Sequence, residues 1–263
     1  MRMKILILGS EGVIGTPLSK HLEKCGHTIT HWDIKISQEH DLTNADNNNR
    51  LGDAINASDF IFFLAYDVGG AKYIMDVNVD FINRNLMIMM NTFNLLKSKK
   101  FIFASSTMYN MDNTYGTLKH IGEHYTSSLK GLSVRFWNIY GKEDVSQKSH
   151  VITDMIHKYK TQGYIDIMTD GEEERLFMHV DDCVNCLTAI MNSYDEIIKT
   201  EKSIDVSSFE WFKIKDVAKM ICDDVRFGAK KMNTHDRMNE PSRLILKYWK
   251  PELSVPEGIA SLL

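Results

Sequence analysis

Three glycines at intervals of three residues follow the first apolar run of the chain. The run KILILG, residues 4–9, is predicted as a buried β-strand that ends in Gly9, and Gly12 and Gly15 come next. Glycines there let the backbone turn tightly, and the free N–H groups of a helix that starts behind them stabilise a pyrophosphate. Between a strand and a helix, this spacing predicts a dinucleotide-binding βαβ unit rather than a merely flexible turn.

A helix and a carboxylate complete this first unit. The helix is predicted over residues 14–24, and Gly26 would end it. Asp33 ends the second predicted strand, 27–33, where a carboxylate can accept hydrogen bonds from the adenosine ribose hydroxyls. That position favours NAD over NADP, although Lys35 lies close enough to tolerate a 2′-phosphate.

The first half of the chain alternates short β-rich runs with helical patterns. Further strands are predicted at 59–65, 100–106 and 132–141, and a long amphipathic helix at 79–97. Such alternation predicts an α/β fold whose parallel sheet is covered by helices on both faces. With 263 residues, 43% of them hydrophobic, the chain is large enough to bury such a core.

The second half is less regular. Helices are predicted at 149–163, 179–193 and 214–225, and a strand at 164–171. We therefore expect a dinucleotide-binding domain over 1–145, to which 176–195 returns. A small C-terminal α/β substrate lobe would consist of 146–175 and 196–263.

Composition excludes several classes of partner. The net charge of −4 and the absence of a Lys/Arg run predict no nucleic-acid partner. No apolar stretch is long enough to span a bilayer and no signal-peptide pattern is present, so a cytoplasmic protein is expected. Cys183 and Cys186 form a lone C-x-x-C in a helical segment, which is typical of buried small residues and predicts no metal site.

Five further motifs follow the glycines in order. They are ASSTMY (104–109), YGTLKHIGE (115–123), VRFWNIYG (134–141), RLFMHVDD (175–182) and YWKPELSVPEGI (248–259). Together they resemble the extended short-chain dehydrogenase/reductase family, whose members are NAD-dependent epimerases, dehydratases and reductases of nucleotide sugars. The resemblance covers essentially the whole chain. It implies a Rossmann-type doubly wound parallel sheet.

The same resemblance implies roles for individual residues. Tyr115 would be the acid/base at a sugar hydroxyl or ketone. Lys119, on the same helical face, would hold the nicotinamide ribose and lower the phenol pKa, assisted by the positive charge of oxidised nicotinamide. Ser105 aligns with the hydroxyl that bonds the reacting oxygen, and Thr107 would point into the same pocket two residues later on the strand; simple strand termination is the alternative for the serine. Other positions aligned with cofactor contacts are Gly9, Gly12, Val13, Ile14, Gly15, Asp33, Asp41, Leu42, Leu64 and Ala65.

A nucleotide-diphosphate sugar is the substrate that the resemblance implies. Asn138 and Arg175 fall on positions that contact the diphosphate, and Arg237 would add a second cation. Arginine suits this ligand because its planar fork makes paired charge-assisted hydrogen bonds. A protein with net negative charge can thereby bind an anionic substrate.

A narrower similarity concerns the GDP-fucose synthases, which are GDP-4-keto-sugar epimerase/reductases. The segment AYDVGGAKY, with Val68 and Gly69 as substrate contacts, resembles theirs, and His150 takes the position of their epimerisation acid. Thr107, however, stands where those enzymes have a cysteine base. Because a threonine hydroxyl cannot deprotonate carbon at a useful rate, epimerisation at carbons 3 and 5 is not expected.

Two other departures narrow the reaction. The 4,6-dehydratases carry an Asp-Glu pair in the stretch that Ser106, Thr107 and Met108 occupy here, so dehydration is not expected. The segment between Ser105 and Tyr115 is also shorter than is usual in the family. The sequence therefore predicts hydride transfer at carbon 4 of a nucleotide hexose, as a 4-epimerase or a 4-ketoreductase. The short segment supports the alternative of a non-catalytic dinucleotide sensor or scaffold. By family resemblance a homodimer would form through helix 79–97 and the Tyr115 helix.

Overall fold

The structure is a computed structural model that describes residues 2–75, 78–230 and 239–263. Its strands are β1 (Lys4–Leu8), β2 (Thr28–Trp32), β3 (Phe60–Phe63), β4 (Phe101–Ser106), β5 (Leu132–Phe136), β6 (Ile139–Tyr140), β7 (Ile165–Thr169), β8 (Glu174–Leu176), β9 (Met178–His179), β10 (Ser203–Val206), β11 (Trp211–Lys213) and β12 (Val225–Lys230). Its α-helices are α1 (Gly15–Lys24), α2 (Asn48–Asn56), α3 (Ala71–Met75), α4 (Val79–Phe93), α5 (Thr114–Ser128), α6 (Val151–Gln162), α7 (Val180–Asn192), α8 (Tyr194–Ile197), α9 (Ile214–Ile221) and α10 (Val255–Ala260).

Six parallel strands form the central sheet in the order β10-β5-β4-β3-β1-β2. The chain runs outward from β1 to β2, and then returns to the other side of β1 for β3, β4 and β5. This reversal creates a crevice at the carboxyl ends of β1 and β3, which is where ligands bind in doubly wound sheets. The predicted Rossmann-type doubly wound fold is confirmed.

Residues of one strand alternate between two separate apolar cores. Ile5 and Ile7 of β1 belong to the core that α1 and α7 cover, whereas Leu6 and Leu8 belong to the core that α2, α4 and α5 cover. All four side chains have no exposed area. A strand that is buried on both faces reads as a continuous apolar run, which is why the run in β1 was recognisable.

Some predicted boundaries differ from the structure. The single strand predicted at 132–141 is wrong: β5 ends at Phe136, where the backbone N–H of Trp137 donates to Val206 O, and β6 is a separate strand paired with β9. The predicted helix at 79–97 ends earlier, at Phe93. The strand β10 was not predicted. It lies in the range expected for the substrate lobe, yet it pairs with β5 in the central sheet.

A third apolar core lies in the second half of the chain. It joins Ile152 and Ile156 of α6, Val217 and Ile221 of α9, and Val255 of α10. Around it β7 pairs with β12 and β8 pairs with β11. This lobe faces the carboxyl ends of the central strands and supplies the far wall of the cleft described below.

The sequence predicts no membrane span and no metal site at the C-x-x-C. In the three described ranges no helix has both the length and the apolar character that a membrane crossing requires. Cys183 and Cys186 are buried in α7 as free thiols, and burial raises the pKa of both.

Candidate functional site

A single large cleft follows the carboxyl edge of the central sheet. Its cavity volume is about 1270 Å³. Every predicted site residue in the described ranges borders it, namely Gly9, Gly12, Val13, Ile14, Gly15, Asp33, Asp41, Leu42, Leu64, Ala65, Val68, Gly69, Ser105, Thr107, Tyr115, Lys119, Asn138, His150 and Arg175. Arg237 lies outside the described residues. The structure thus brings together residues from all parts of the sequence.

The glycine loop is shaped by close backbone contacts. Gly9 has a φ of +88°, and a Cβ atom there would lie 2.7 Å from the backbone nitrogen of Ala65. A Cβ atom on Gly15 would lie 2.0 Å from the carbonyl oxygen of Gly9. Because only glycine fits either place, the loop can lie flat between β3 and the first turn of α1. The loop leads into the N-terminus of α1, whose first N–H groups have no partner within the helix, as a pyrophosphate site requires.

Asp33 holds the loop from the end of β2. Its carboxylate accepts hydrogen bonds from the backbone N–H of Glu11 at 3.0 Å and of Lys35 at 2.9 Å. Each carboxylate oxygen retains acceptor capacity, so ribose hydroxyls remain possible partners. The Lys35 ammonium donates to the Glu11 carbonyl oxygen at 3.1 Å, which places a cation beside the same site. The residues present therefore fit a dinucleotide.

Tyr115 and Lys119 lie on the buried face of α5. Lys119 is 2% exposed, and its ammonium donates to the Ala104 carbonyl oxygen at 2.7 Å and lies 3.4 Å from the centre of the Tyr66 ring. The ammonium is 5.6 Å from the centre of the Tyr115 ring. Lys119 is thus held between β4 and Tyr66, close to Tyr115.

The lowering of the phenol pKa by Lys119 and oxidised nicotinamide stays a prediction, because the polypeptide groups alone move the pKa of Tyr115 the other way. Burial raises the pKa of Tyr115 to about 12, although a hydrogen bond with the Ser106 side chain opposes the rise. Burial likewise moves the pKa of Lys119 well below its ordinary value, against the attraction of Glu123. The cost of burying each charge outweighs the benefit of proximity.

The two serines at the end of β4 have different partners. The Ser105 hydroxyl donates to Glu123 Oε1 at 2.6 Å, whereas Ser106 hydrogen-bonds the Tyr115 side chain. Thr107 does not continue the strand as expected, because it begins a 3₁₀ turn in which the N–H of Met108 donates to the Ser106 hydroxyl. Sequence reasoning therefore missed Ser106 and Glu123. The spacing of Glu123, four residues after Lys119, was the signal that it shares the buried face.

The glycines after β3 bring His150 to the cleft. A Cβ atom on Gly69 would lie 2.9 Å from the Lys148 backbone, and the N–H of Gly70 donates to Lys148 O at 2.9 Å. His150 then precedes α6, and its Nδ1 lies 2.8 Å from Glu143 Oε1. The close approach of two backbone segments explains why small residues occupy positions 69 and 70.

The predicted substrate residues lie on the opposite wall. Asn138 Nδ2 donates to the Leu176 carbonyl oxygen at 3.4 Å, so it is tied to β8, and Arg175 lies on that strand. Asn239 also borders the cleft and donates to the Thr107 carbonyl oxygen at 3.4 Å. The segment from the C-terminal lobe therefore contacts the short connection between Ser105 and Tyr115.

The architecture has close counterparts among solved structures. An epimerase of Methanothermobacter thermautotrophicus superposes with a TM-score of 0.82 over 98% of this chain and 90% of its own, at 18% identity. At that identity the likeness shows the fold, which is the fold of epimerases of the Rossmann type.

A family model identifies the family, and sequence relatives agree with it. A probable GDP-L-fucose synthase of Oryza sativa subsp. japonica is 23% identical over 97% of this chain and 89% of its own length. A putative UDP-glucose 4-epimerase of Methanocaldococcus jannaschii is 26% identical over 97% of this chain and 95% of its own. The model of the NAD dependent epimerase/dehydratase family matches residues 5–205, and the chain belongs to that family.

Proposed function

We propose that the protein is a nucleotide-sugar 4-epimerase or 4-ketoreductase that transfers hydride between carbon 4 of an NDP-hexose and a nicotinamide dinucleotide. The observation that carries the proposal is the meeting of Tyr115 and Lys119 with the glycine loop in one cleft. The dinucleotide supplies or accepts the hydride when it is bound. The relatives' names support a nucleotide sugar as the substrate.

The chain's own residues would bind the ligands and move the proton. The N-terminus of α1, which the chain reaches through Gly9, Gly12 and Gly15, would bind the pyrophosphate through its free backbone N–H groups, and Asp33 would bind the adenosine ribose. Tyr115 would exchange a proton with the oxygen on carbon 4. The positive charge of Lys119 beside Tyr115 favours the phenolate once that proton has left.

Three further features of the proposal have structural support. Asp33 supports NAD, and Lys35 keeps NADP as an alternative. Met87 and Met90 on α4 are about half exposed, which supports a homodimer through α4 and α5. All four cysteines are free thiols, which fits a reducing compartment such as the cytoplasm.

Turnover by a Tyr115→Phe variant tests the assignment. The variant should bind dinucleotide as the parent does and lose turnover by about 10²-fold or more, because a general acid/base contributes on that order. Tyr159→Phe, at an exposed tyrosine on α6, is the matched control and should leave turnover unchanged. Equal turnover in Tyr115→Phe and the parent would contradict the proposed role.

A dinucleotide sensor of the same fold is the second candidate. The observation in its favour is the Ser105 hydroxyl, whose proton is committed to Glu123 instead of the cleft. A parent that binds dinucleotide but turns over no sugar in a panel of UDP-, GDP- and dTDP-hexoses and their 4-keto forms would favour this candidate.

A further inference from the structure

Glu123 occupies a buried position between three elements of the site. Its side chain is 12% exposed on α5, one helical turn after Lys119. Arg135 of β5 makes a bidentate ion pair with this carboxylate: Nε donates to Oε1 at 2.8 Å and Nη2 donates to Oε2 at 2.7 Å. Oε1 also accepts the hydroxyl of Ser105, from β4. None of these contacts has yet been assigned a role in the reaction.

The double contact with Arg135 fixes the charge of Glu123. A guanidinium offers only donors, so two short bonds to it require an ionised carboxylate. An ionised carboxylate is in turn only an acceptor, so Ser105 must be the donor in the 2.6 Å bond. A serine hydroxyl has one proton. Toward the cleft, therefore, Ser105 presents lone pairs and no proton.

Ser105 can therefore only accept a hydrogen bond from a ligand in the cleft, whereas its neighbours can also donate one. A ketone oxygen accepts hydrogen bonds but cannot donate one, so Ser105 has nothing to offer it. A sugar hydroxyl can donate to Ser105. A ketone at the same place would need its donors from Ser106 and Tyr115, which hydrogen-bond each other.

Glu123 also acts on Lys119. Lys119 is buried and Glu123 is mostly buried on the same face of α5, and the Glu123 carboxylate opposes the loss of the Lys119 proton that burial favours. Among the described residues, the other ionisable groups around this pair are Tyr66 and Tyr115 near the ammonium, and Arg135, Tyr109 and Asp205 of β10 near the carboxylate. Glu123, four residues after Lys119 on α5, is the anion that opposes the loss of the Lys119 proton.

We propose that Glu123 is a positioning residue that keeps Lys119 charged and turns the Ser105 proton away from the reacting oxygen. The proposal rests on the proposed function for its kinetic consequence. Its electrostatic consequence can be measured on the protein without any substrate, so the two can fail separately.

The primary test is the titration of Lys119 in parent, Glu123→Gln and Arg135→Lys proteins. Lysine side-chain ¹⁵N NMR observes ammonium groups that are buried and hydrogen-bonded, and loss of one signal in Lys119→Arg assigns the resonance. Glu123→Gln should lower the midpoint of this titration by about one pH unit or more, because a nearby opposite charge shifts a pKa by roughly that amount. Arg135→Lys keeps both charges and should leave the midpoint in place. Equal midpoints in parent and Glu123→Gln would overturn the proposal.

The kinetic test uses the same variants on a sugar that the parent turns over. Glu123→Gln should lower kcat by about tenfold or more and move the alkaline limb of the pH profile to lower pH, with dinucleotide affinity within about threefold of the parent. Arg135→Lys controls for a structural role, since it weakens the same ion pair and should lower the melting temperature without moving that limb. A loss of kcat that follows the melting temperature in both variants, with no shift of the limb, would overturn the proposal. A parent that binds no dinucleotide would contradict the proposed function alone.

Discussion

Replacing Gly15 by alanine tests whether the glycine loop is a pyrophosphate site. The added Cβ atom would lie 2.0 Å from the Gly9 carbonyl oxygen, whereas ordinary contact begins at 3.4 Å. The loop must therefore open by more than 1 Å. The clash is with backbone, so no side chain can rotate to relieve it. The Gly9 carbonyl also accepts the N–H of Gly12, so the displacement reaches the middle of the loop.

The expected loss follows from the hydrogen bonds that such a shift removes. A hydrogen bond from a backbone N–H to a charged phosphate contributes about 1.5 kcal/mol or more. Losing two of them costs about 3 kcal/mol, which corresponds to a dissociation constant roughly 100-fold larger. Gly15→Ala should therefore bind dinucleotide roughly 100-fold more weakly than the parent.

Titration of NADH or NADPH fluorescence measures this constant directly. Gly52→Ala is the matched control, because its Cβ atom would lie 3.9 Å from the nearest atom, in the Leu95 side chain, and α2 should gain from the loss of a glycine. Thermal melting checks that both variants are folded. A folded Gly15→Ala protein with an affinity within threefold of the parent would refute the reasoning.

Three further changes have expected outcomes. Phe62→Ala removes a ring with no exposed area from the core beneath α1 and α7, and should lower the free energy of unfolding by about 3–5 kcal/mol in urea titrations. Asp33→Ser removes a negative charge beside the predicted ribose site and should shift the NADPH-to-NADH affinity ratio toward NADPH by about tenfold or more; an unchanged ratio would place the ribose elsewhere. Burial raises the pKa of Glu143, but the bonds from His150 outweigh it and leave that pKa below the ordinary 4.5. This stabilisation is present above pH 4.5 and is lost as the pH falls through the lowered pKa. His150→Ala should consequently unfold more easily than the parent near neutral pH, by a margin that narrows below pH 4.5, and a margin independent of pH would contradict this account.

The glycine loop and the strands of the first half were predictable because their signals are local. A buried strand reads as an apolar run, and the loop has glycines at the two places where the backbone admits no Cβ atom. β10 was missed because its four residues, SIDV, carry little apolar signal and acquire their partner from β5, about seventy positions earlier.

The hydrogen-bond partners inside the site could not be predicted from local sequence patterns. Ser105 and Ser106 are adjacent in sequence, and the end of β4 decides which of them meets Glu123 and which meets Tyr115. The rise that burial causes in the pKa of Tyr115 was not predictable either, because helical spacing shows the neighbouring charge but not the depth of burial. The residues of the cleft were thus predictable, and their mutual bonds were not.

The most direct test of the account is native mass spectrometry of the purified protein, with ultraviolet absorbance of whatever acid releases from it. The account predicts that the protein either retains NAD⁺ or NADH, as a 4-epimerase would, or takes up NADH or NADPH on addition, as a 4-ketoreductase would. A folded protein that neither retains nor binds any nicotinamide dinucleotide would contradict it.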